Sequence, residues 1–335
     1  MSVPLMIYLG VVSFAGSVFN FIVLLVFLSK RHFLQVPDVF LISVAISDCL
    51  ACVIAMPVTL LAVSNGSWQF DFELCKMHAS LFYTFGLVSI THLSAMAFEK
   101  YLTLFKSTST NGYYLTKGQA VKIIAALWGY SLVFSLSPLV GWGAYGLGPE
   151  NMTCTLLWGA SGAKDDTYYG AVFLGCFFVP VGFILFSYYH ISKLRRKTFV
   201  QLSRNSVCSA QMVMFAKIMK RKHIVFAMKL TLLIGAYFFA WLPYSVVSLL
   251  MVLRVELQAN AVIYSSMFAK SSFLLNPVVY SFITKRFWED FFHFLRRCRR
   301  SRKIDPLISQ SYVLFPLPNE AFHYGSYKPR QPCVT

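Results

Sequence analysis

The residue with the clearest capacity for chemistry is Lys270, in the stretch FAKSSFLLNPVVY from Phe268 to Tyr280. It stands near the middle of an apolar segment running from about Ala259 to Ile283, which is long enough to cross a bilayer. At that depth an ammonium costs about 2.5–3.5 kcal/mol on insertion scales, so a functional role has to offset it. A dry pocket favours the neutral amine, and a neutral amine condenses with an aldehyde to give a Schiff base. The alternative is a charged lysine that pairs with an acidic residue or lines a water-filled path.

Such a lysine needs a membrane around it, and the composition provides for one. The chain has 335 residues, 57% hydrophobic, 17% aromatic and 13% charged, with a mean hydropathy of +0.61. One soluble core cannot hide that much apolar surface. The net charge of +17 would point to nucleic acid in a soluble protein. Here the basic residues cluster between and after the apolar runs, so the charge reports topology and no nucleic-acid partner is expected.

Seven apolar runs are legible, at about 3–28, 38–63, 75–105, 119–141, 168–193, 224–253 and 259–283. An odd number puts the termini on opposite faces. With the N-terminus outside, the inner face holds Lys30, Arg31, the region from Lys100 to Lys122, the cluster from Lys193 to Lys229 and the basic tail after Lys285. The outer face then holds only Lys76, Lys164 and Arg254 as basic residues, the asymmetry that the positive-inside rule requires. The first run is too long for a cleavable signal peptide and reads as a span that is its own insertion signal.

The outer loops carry two glycosylation sequons, Asn65-Gly66-Ser67 and Asn151-Met152-Thr153. They also carry Cys75 and Cys154, where oxidising conditions allow a disulfide. Cys49, Cys52 and Cys176 fall inside apolar runs and read as small hydrophobes. On the inner face, the basic helix ends around the third loop suit anionic lipid headgroups or a partner protein. The segment from Lys285 to Cys298, KRFWEDFFHFLRRC, reads as a short amphipathic helix on the cytoplasmic side, with Cys298 a palmitoylation candidate or a free thiol. The expected organisation is an all-α seven-transmembrane helix bundle with its amphipathic helix over residues 1–298, then a disordered tail over 299–335.

Taken together, spaced residues give a family resemblance over about residues 3–298. Asn20 lies in the first run and Asp48, within SVAISD, in the second. Cys75 opens the third and Glu99-Lys100-Tyr101 closes it. Trp128 is in the fourth, Pro180 and Tyr188 in the fifth, Trp241-Leu242-Pro243-Tyr244 in the sixth, and Asn276-Pro277-Val278-Val279-Tyr280 ends the seventh. The chain resembles class A G protein-coupled receptors. Within them, a lysine seven residues before the proline of the NPxxY motif resembles the opsins, with SS after the lysine closer to the non-visual group around neuropsin.

The resemblance implies retinal, 11-cis or all-trans, attached at Lys270. It implies a pocket of Phe82, Tyr83, Gly86, Phe173, Phe177, Trp241, Tyr244 and Phe268. Aromatics at helical spacing are also ordinary core packing. It implies plasma-membrane localisation, activation of a heterotrimeric G protein through Asp48, Glu99, Lys100, Tyr101, Tyr188, Asn276, Pro277 and Tyr280, and arrestin as a possible partner. Neither enzyme activity nor a metal is expected. A retinal photoisomerase, or a retinal-binding opsin with little G protein signalling, is the alternative.

A buried protonated Schiff base needs a counterion, and here the sequence departs from the visual opsins. The third-span position that holds their glutamate is His78, which carries no negative charge. Glu150, four residues before Cys154 in GPENMTC, is the expected counterion, with Asp165 and Asp166 as alternatives. The inner motif is EKY where arginine is usual. Lysine keeps the charge and loses the bidentate fork. His223 stands at the facing end of the sixth run, where rhodopsin-like opsins place an acid, so a weak inner lock is expected.

Overall fold

The structure, a computed structural model, describes residues 2–29, 34–106, 115–158, 163–204, 210–283, 287–289 and 291–296. Helix α1 (Ser2–Ser29) is the first span. The second is α2 (Val36–Leu50), a π turn (Ala51–Ala55) and α3 (Met56–Ser64). The third is α4 (Phe72–Lys106), and the fourth is α5 (Lys117–Leu136) with a 3-10 turn (Ser137–Val140). The fifth joins α6 (Ala163–Val172) through a π turn (Phe173–Phe178) to α7 (Val179–Arg204). The sixth is α8 (Ala210–Val252), and the seventh is α9 (Ala259–Lys270) followed by α10 (Ser272–Ile283).

Both π turns are answered by a proline two residues further on, Pro57 and Pro180. A proline ring inside a helix clashes with the carbonyl four residues back, and a locally wider turn relieves that clash. Helix α4 runs through the middle of the bundle, against α2, α5, α7 and α8. The outward faces are apolar, with Phe14 74% and Phe239 67% exposed, which suits hydrocarbon as the surrounding solvent.

Six of the spans are continuous helices long and apolar enough to cross a membrane. The seventh, read from sequence as one run, is two helices of 12 residues that meet at Ser271, directly after Lys270. The Ser271 hydroxyl turns back onto Phe268 O at 2.7 Å, the local competition with the backbone ladder that serine offers. Further along, Pro277 has no N–H to offer Phe273 O. The side-chain amide of Asn20 donates to that carbonyl instead, at 2.9 Å, and so ties α1 to α10.

Over one end of the bundle lies a hairpin of β1 (Tyr145–Leu147) and β2 (Cys154–Leu156), antiparallel with Leu147 opposite Cys154. The Cys75–Cys154 disulfide, Cα–Cα 5.4 Å, fastens β2 to the head of α4. The expected pairing is therefore formed. The Tyr145 hydroxyl reaches Ser135 O at 2.9 Å and holds the other strand.

The bundle unit runs from Met1 to Phe291. Phe287 is buried in it, edge-on to Tyr280 at 5.7 Å. In the second unit, which starts at Phe292, the described residues 292–296 are helical. Cys298 and the tail 299–335 lie outside the described residues.

Candidate functional site

Beneath the hairpin lie two adjoining pockets of the bundle. Tyr83, Trp241 and Tyr244 line both, so they form one elongated chamber. Its proximal half holds Lys270, Phe82, Ser266 and Phe273, roofed by Cys154, Thr155 and Leu156 of β2. Its distal half is closed by Phe173, Cys176 and Phe177 from the π turn of the fifth span, by Phe238 and Ser248 of α8, and by Trp158.

Lys270 is 8% exposed. Its Nζ lies 3.3 Å from Ser266 Oγ, one turn back, and 4.9 Å from the centroid of the Phe82 ring. These contacts suit a cation but carry no negative charge. The carboxylate that interacts electrostatically with Lys270 is Glu150. Its Oε1 accepts from Thr153 Oγ1 at 2.7 Å, while its Oε2 is buried with no hydrogen-bond partner. Gly148 leaves the room for this inward fold, since a Cβ there would stand 3.3 Å from both carboxylate oxygens.

The other acidic candidates lie elsewhere. Asp166 is exposed and pairs with Arg254 at 3.5 Å, and Asp165, beside it in the first turn of α6, is partly buried. His78 is buried one turn before Phe82, its ring edge-on to that ring at 5.0 Å. Its Nε2 lies 3.0 Å from Ala55 O, which can only accept, so the proton sits on Nε2.

Of the pocket read from sequence, Phe82, Tyr83, Gly86, Phe173, Phe177, Trp241 and Tyr244 line the chamber. Phe268 does not, and this corrects the expectation for that residue. Its ring packs on the lipid-facing Phe239 at 5.4 Å. Two residues along a helix is a rotation of about 200°, so Phe268 points away from the side that Lys270 faces. Phe273 and Ser266 take the positions beside the lysine, and spacing of i+3 and i−4 from Lys270 could have found them. Tyr145, Leu156 and Trp158 had no such signal, because the hairpin is brought over the chamber by tertiary contacts.

Trp241 connects the chamber to the bundle. Its Nε1 donates to Ser272 Oγ at 3.0 Å, two residues from Lys270, and its ring stacks on Tyr237, 5.7 Å between centroids. The ring also lies against Gly86, where a Cβ would stand 2.6 Å from two of its atoms. Gly86→Ala is therefore expected to displace Trp241 and to lower stability by about 1–3 kcal/mol, the usual cost of overpacking. Thermal unfolding in detergent measures it, and an unchanged midpoint would mean the ring moves freely.

Deeper in, Asp48 accepts from Ser89 at 3.0 Å and from Asn276 Nδ2 at 2.9 Å, joining the second, third and seventh spans. At the end of the bundle away from the hairpin Lys100 pairs with Glu99 at 3.0 Å, both buried, and Thr103 donates to the same carboxylate at 2.8 Å. Tyr101 packs on Phe186 and His190. Tyr280 rests against Phe27 and Phe287, and the Tyr188 hydroxyl bonds to Thr231. His223 is on α8, its side chain outside the description. Asn65 and Asn151 are both exposed.

A family model described as "7 transmembrane receptor (rhodopsin family)" matches residues 19–280. The chain is 29% identical over 320 residues to Opsin-3 of Mus musculus, covering 93% of this chain and 77% of the relative. It is 28% identical over 286 residues to the visual pigment-like receptor peropsin of Mus musculus, covering 84% and 80%. With "Rhodopsin, G0-coupled" of Mizuhopecten yessoensis it shares 25% over 283 residues, covering 84% and 69%. The crystal structure of squid rhodopsin superposes with a TM-score of 0.79 at 21% identity, over 93% of this chain and 87% of that one. At that identity the likeness is one of fold, a seven-helix bundle.

Proposed function

The chain belongs to the rhodopsin family of seven-transmembrane receptors, with opsins as its relatives, and on that premise we propose that it is a light receptor that binds retinal at Lys270 and activates a heterotrimeric G protein. One observation carries the reading: a buried lysine lines a chamber walled by aromatic rings, and Glu150, whose Oε2 is buried with no hydrogen-bond partner among the described residues, interacts with it electrostatically. A carboxylate so placed is costly unless a positive charge answers it. When bound, retinal supplies the photochemistry, as a polyene aldehyde condensed with an amine that changes shape in light.

The protein's own residues do the rest. Lys270 Nζ holds the ligand, and Glu150 keeps a proton on that nitrogen. Tyr83, Phe82 and Trp241 form flat walls that fit a conjugated chain, and the hairpin excludes water from the outer side. The 11-cis shape is expected to favour the resting arrangement and the all-trans shape the active one, a differential affinity of one site for two conformations. Trp241, bonded to Ser272 and followed by Pro243 inside α8, is the element that passes a change of shape to the sixth span.

The chain is a multi-pass membrane protein. We place it in the plasma membrane with its N-terminus outside, which leaves Asn65 accessible for glycosylation and the Cys75–Cys154 bond in an oxidising compartment. Arrestin and anionic lipid are further expected partners at the basic inner face. The deciding experiment is reconstitution with 11-cis and with all-trans retinal, followed by spectra before and after illumination and by light-dependent nucleotide exchange on purified G protein. A band that responds to light with no exchange would make the protein a photoisomerase instead. No band would remove retinal altogether.

Coupling strength rests on the inner end. Lys100 meets Glu99 through a single point charge, whereas arginine offers two parallel donors. Lys100→Arg is expected to raise light-driven nucleotide exchange several-fold. An unchanged rate would show that lysine suffices.

A further inference from the structure

We propose that Ser248 forms an oxygen-recognising subsite at the distal end of the chamber, and that the ligand this protein takes is a retinal bearing a hydroxyl or keto group on its ring. Ser248 is 1% exposed, lines the distal cavity, and its hydroxyl has no hydrogen-bond partner among the described residues. Most of the neighbouring donor protons are already committed. Ser245 donates to Trp241 O at 3.0 Å, Trp158 Nε1 to the Tyr244 hydroxyl at 2.9 Å, Tyr237 to Gly86 O at 2.9 Å, and Tyr169 to Leu157 O. A buried hydroxyl left without a partner is destabilising, and native interiors rarely keep one without a reason.

The proposal rests on the assignment of Lys270 as the attachment site, because that assignment orients the ligand. The aldehyde carbon is held in the proximal half, where Lys270 stands, so the rest of the molecule extends past Tyr83, Trp241 and Tyr244 into the distal half. Ser248 follows Trp241 by seven residues, two turns on the same face of α8, and lines that distal half, where the end of the ligand away from Lys270 arrives. The wall there is mostly apolar, with Phe173, Phe177 and Phe238 in it. An unsubstituted ring fills such a wall but leaves Ser248 unpaired. A ring oxygen pairs with it, and sites built around a hydrogen bond reject analogues that lack it.

The test is a competition on the full-length protein in detergent. Equimolar unsubstituted retinal and 3-hydroxyretinal, and in a second series 4-hydroxyretinal, are supplied as mixtures of 11-cis and all-trans isomers. The bound ligand is fixed with borohydride, and the masses of the Lys270 peptide are compared. The wild type is expected to favour at least one hydroxylated form by about tenfold. Ser248→Ala should bring that ratio to about one without reducing the yield of the unsubstituted adduct, and Ser248→Thr should keep the preference. A wild-type ratio near one in both series, or a preference that survives Ser248→Ala, overturns the subsite and assigns the hydroxyl to a bound water. No adduct with any retinal overturns the Lys270 reading and the subsite together, a result distinct from adducts formed without preference.

Discussion

Replacing Lys270 by methionine is expected to abolish covalent retention of retinal: no borohydride-fixed adduct, no light-sensitive absorbance band, and nucleotide exchange that stays at its dark level under illumination. The same change has two opposed effects on the stability of the empty protein, because it takes a costly amine out of the membrane and also takes the positive partner from Glu150. Methionine has nearly the shape of lysine without its charge, and it removes an amine whose place in the membrane costs about 2.5–3.5 kcal/mol. What the lysine touches in the bundle is slight, one contact with Ser266 Oγ at 3.3 Å and the face of Phe82. Against the gain from removing the amine stands Glu150, left without a cation, since breaking a buried ion pair from one side destabilises by about 3–5 kcal/mol. Mass analysis of the fixed adduct is therefore the deciding readout, with thermal unfolding of the empty protein reporting the balance of the two effects. A marked fall in unfolding temperature with adduct still formed at another residue would refute the assignment.

Glu150→Gln is expected to move the absorbance of the retinal-bound protein from the visible to the near-ultraviolet. Glutamine keeps the size of the side chain and can still accept from Thr153, as Glu150 Oε1 does at 2.7 Å, so the hairpin should stand. What is lost is the negative charge. A nearby opposite charge is worth about one to three orders of magnitude in proton affinity, and among the described residues no other carboxylate interacts with Lys270. Asp166 is turned to Arg254 at the surface, and His78, which donates to Ala55 O, supplies no negative charge in either protonation state. Raising the chloride concentration should partly restore the visible band in the variant, because a small anion can occupy the carboxylate's place. An unaltered spectrum in Glu150→Gln would take this residue out of the counterion role, and titrating the band with pH in both proteins would show whether a different group holds the proton.

The neighbours of Lys270 show where reading a sequence stops. Phe82, Tyr83, Trp241 and Tyr244 were legible because family spacing carries the direction a residue faces as well as its span. Phe268 was not, because its direction depends on rotation about α9, and the helix breaks at Ser271 before the next turn. Glu150 was legible as a carboxylate in an outer loop near Cys154. That it folds inward is decided by a hairpin whose turn passes through Gly148 and whose second strand is bonded to a cysteine 79 residues away.

Membrane residence, the number and order of the spans, the orientation expected from charge, and the depth of Lys270 were determined by the sequence alone. They follow from local properties, since a chain in hydrocarbon must satisfy its own backbone and therefore spans as helices of a length the bilayer sets. The tertiary structure decided what is not local: the division of the seventh span beside the lysine, the roof of β1 and β2, the unpaired oxygen of Glu150 and the unpaired hydroxyl of Ser248. Each depends on which surfaces meet across the bundle. Apolar helices in lipid pack through close contact and a few polar links, and these leave little trace in hydropathy.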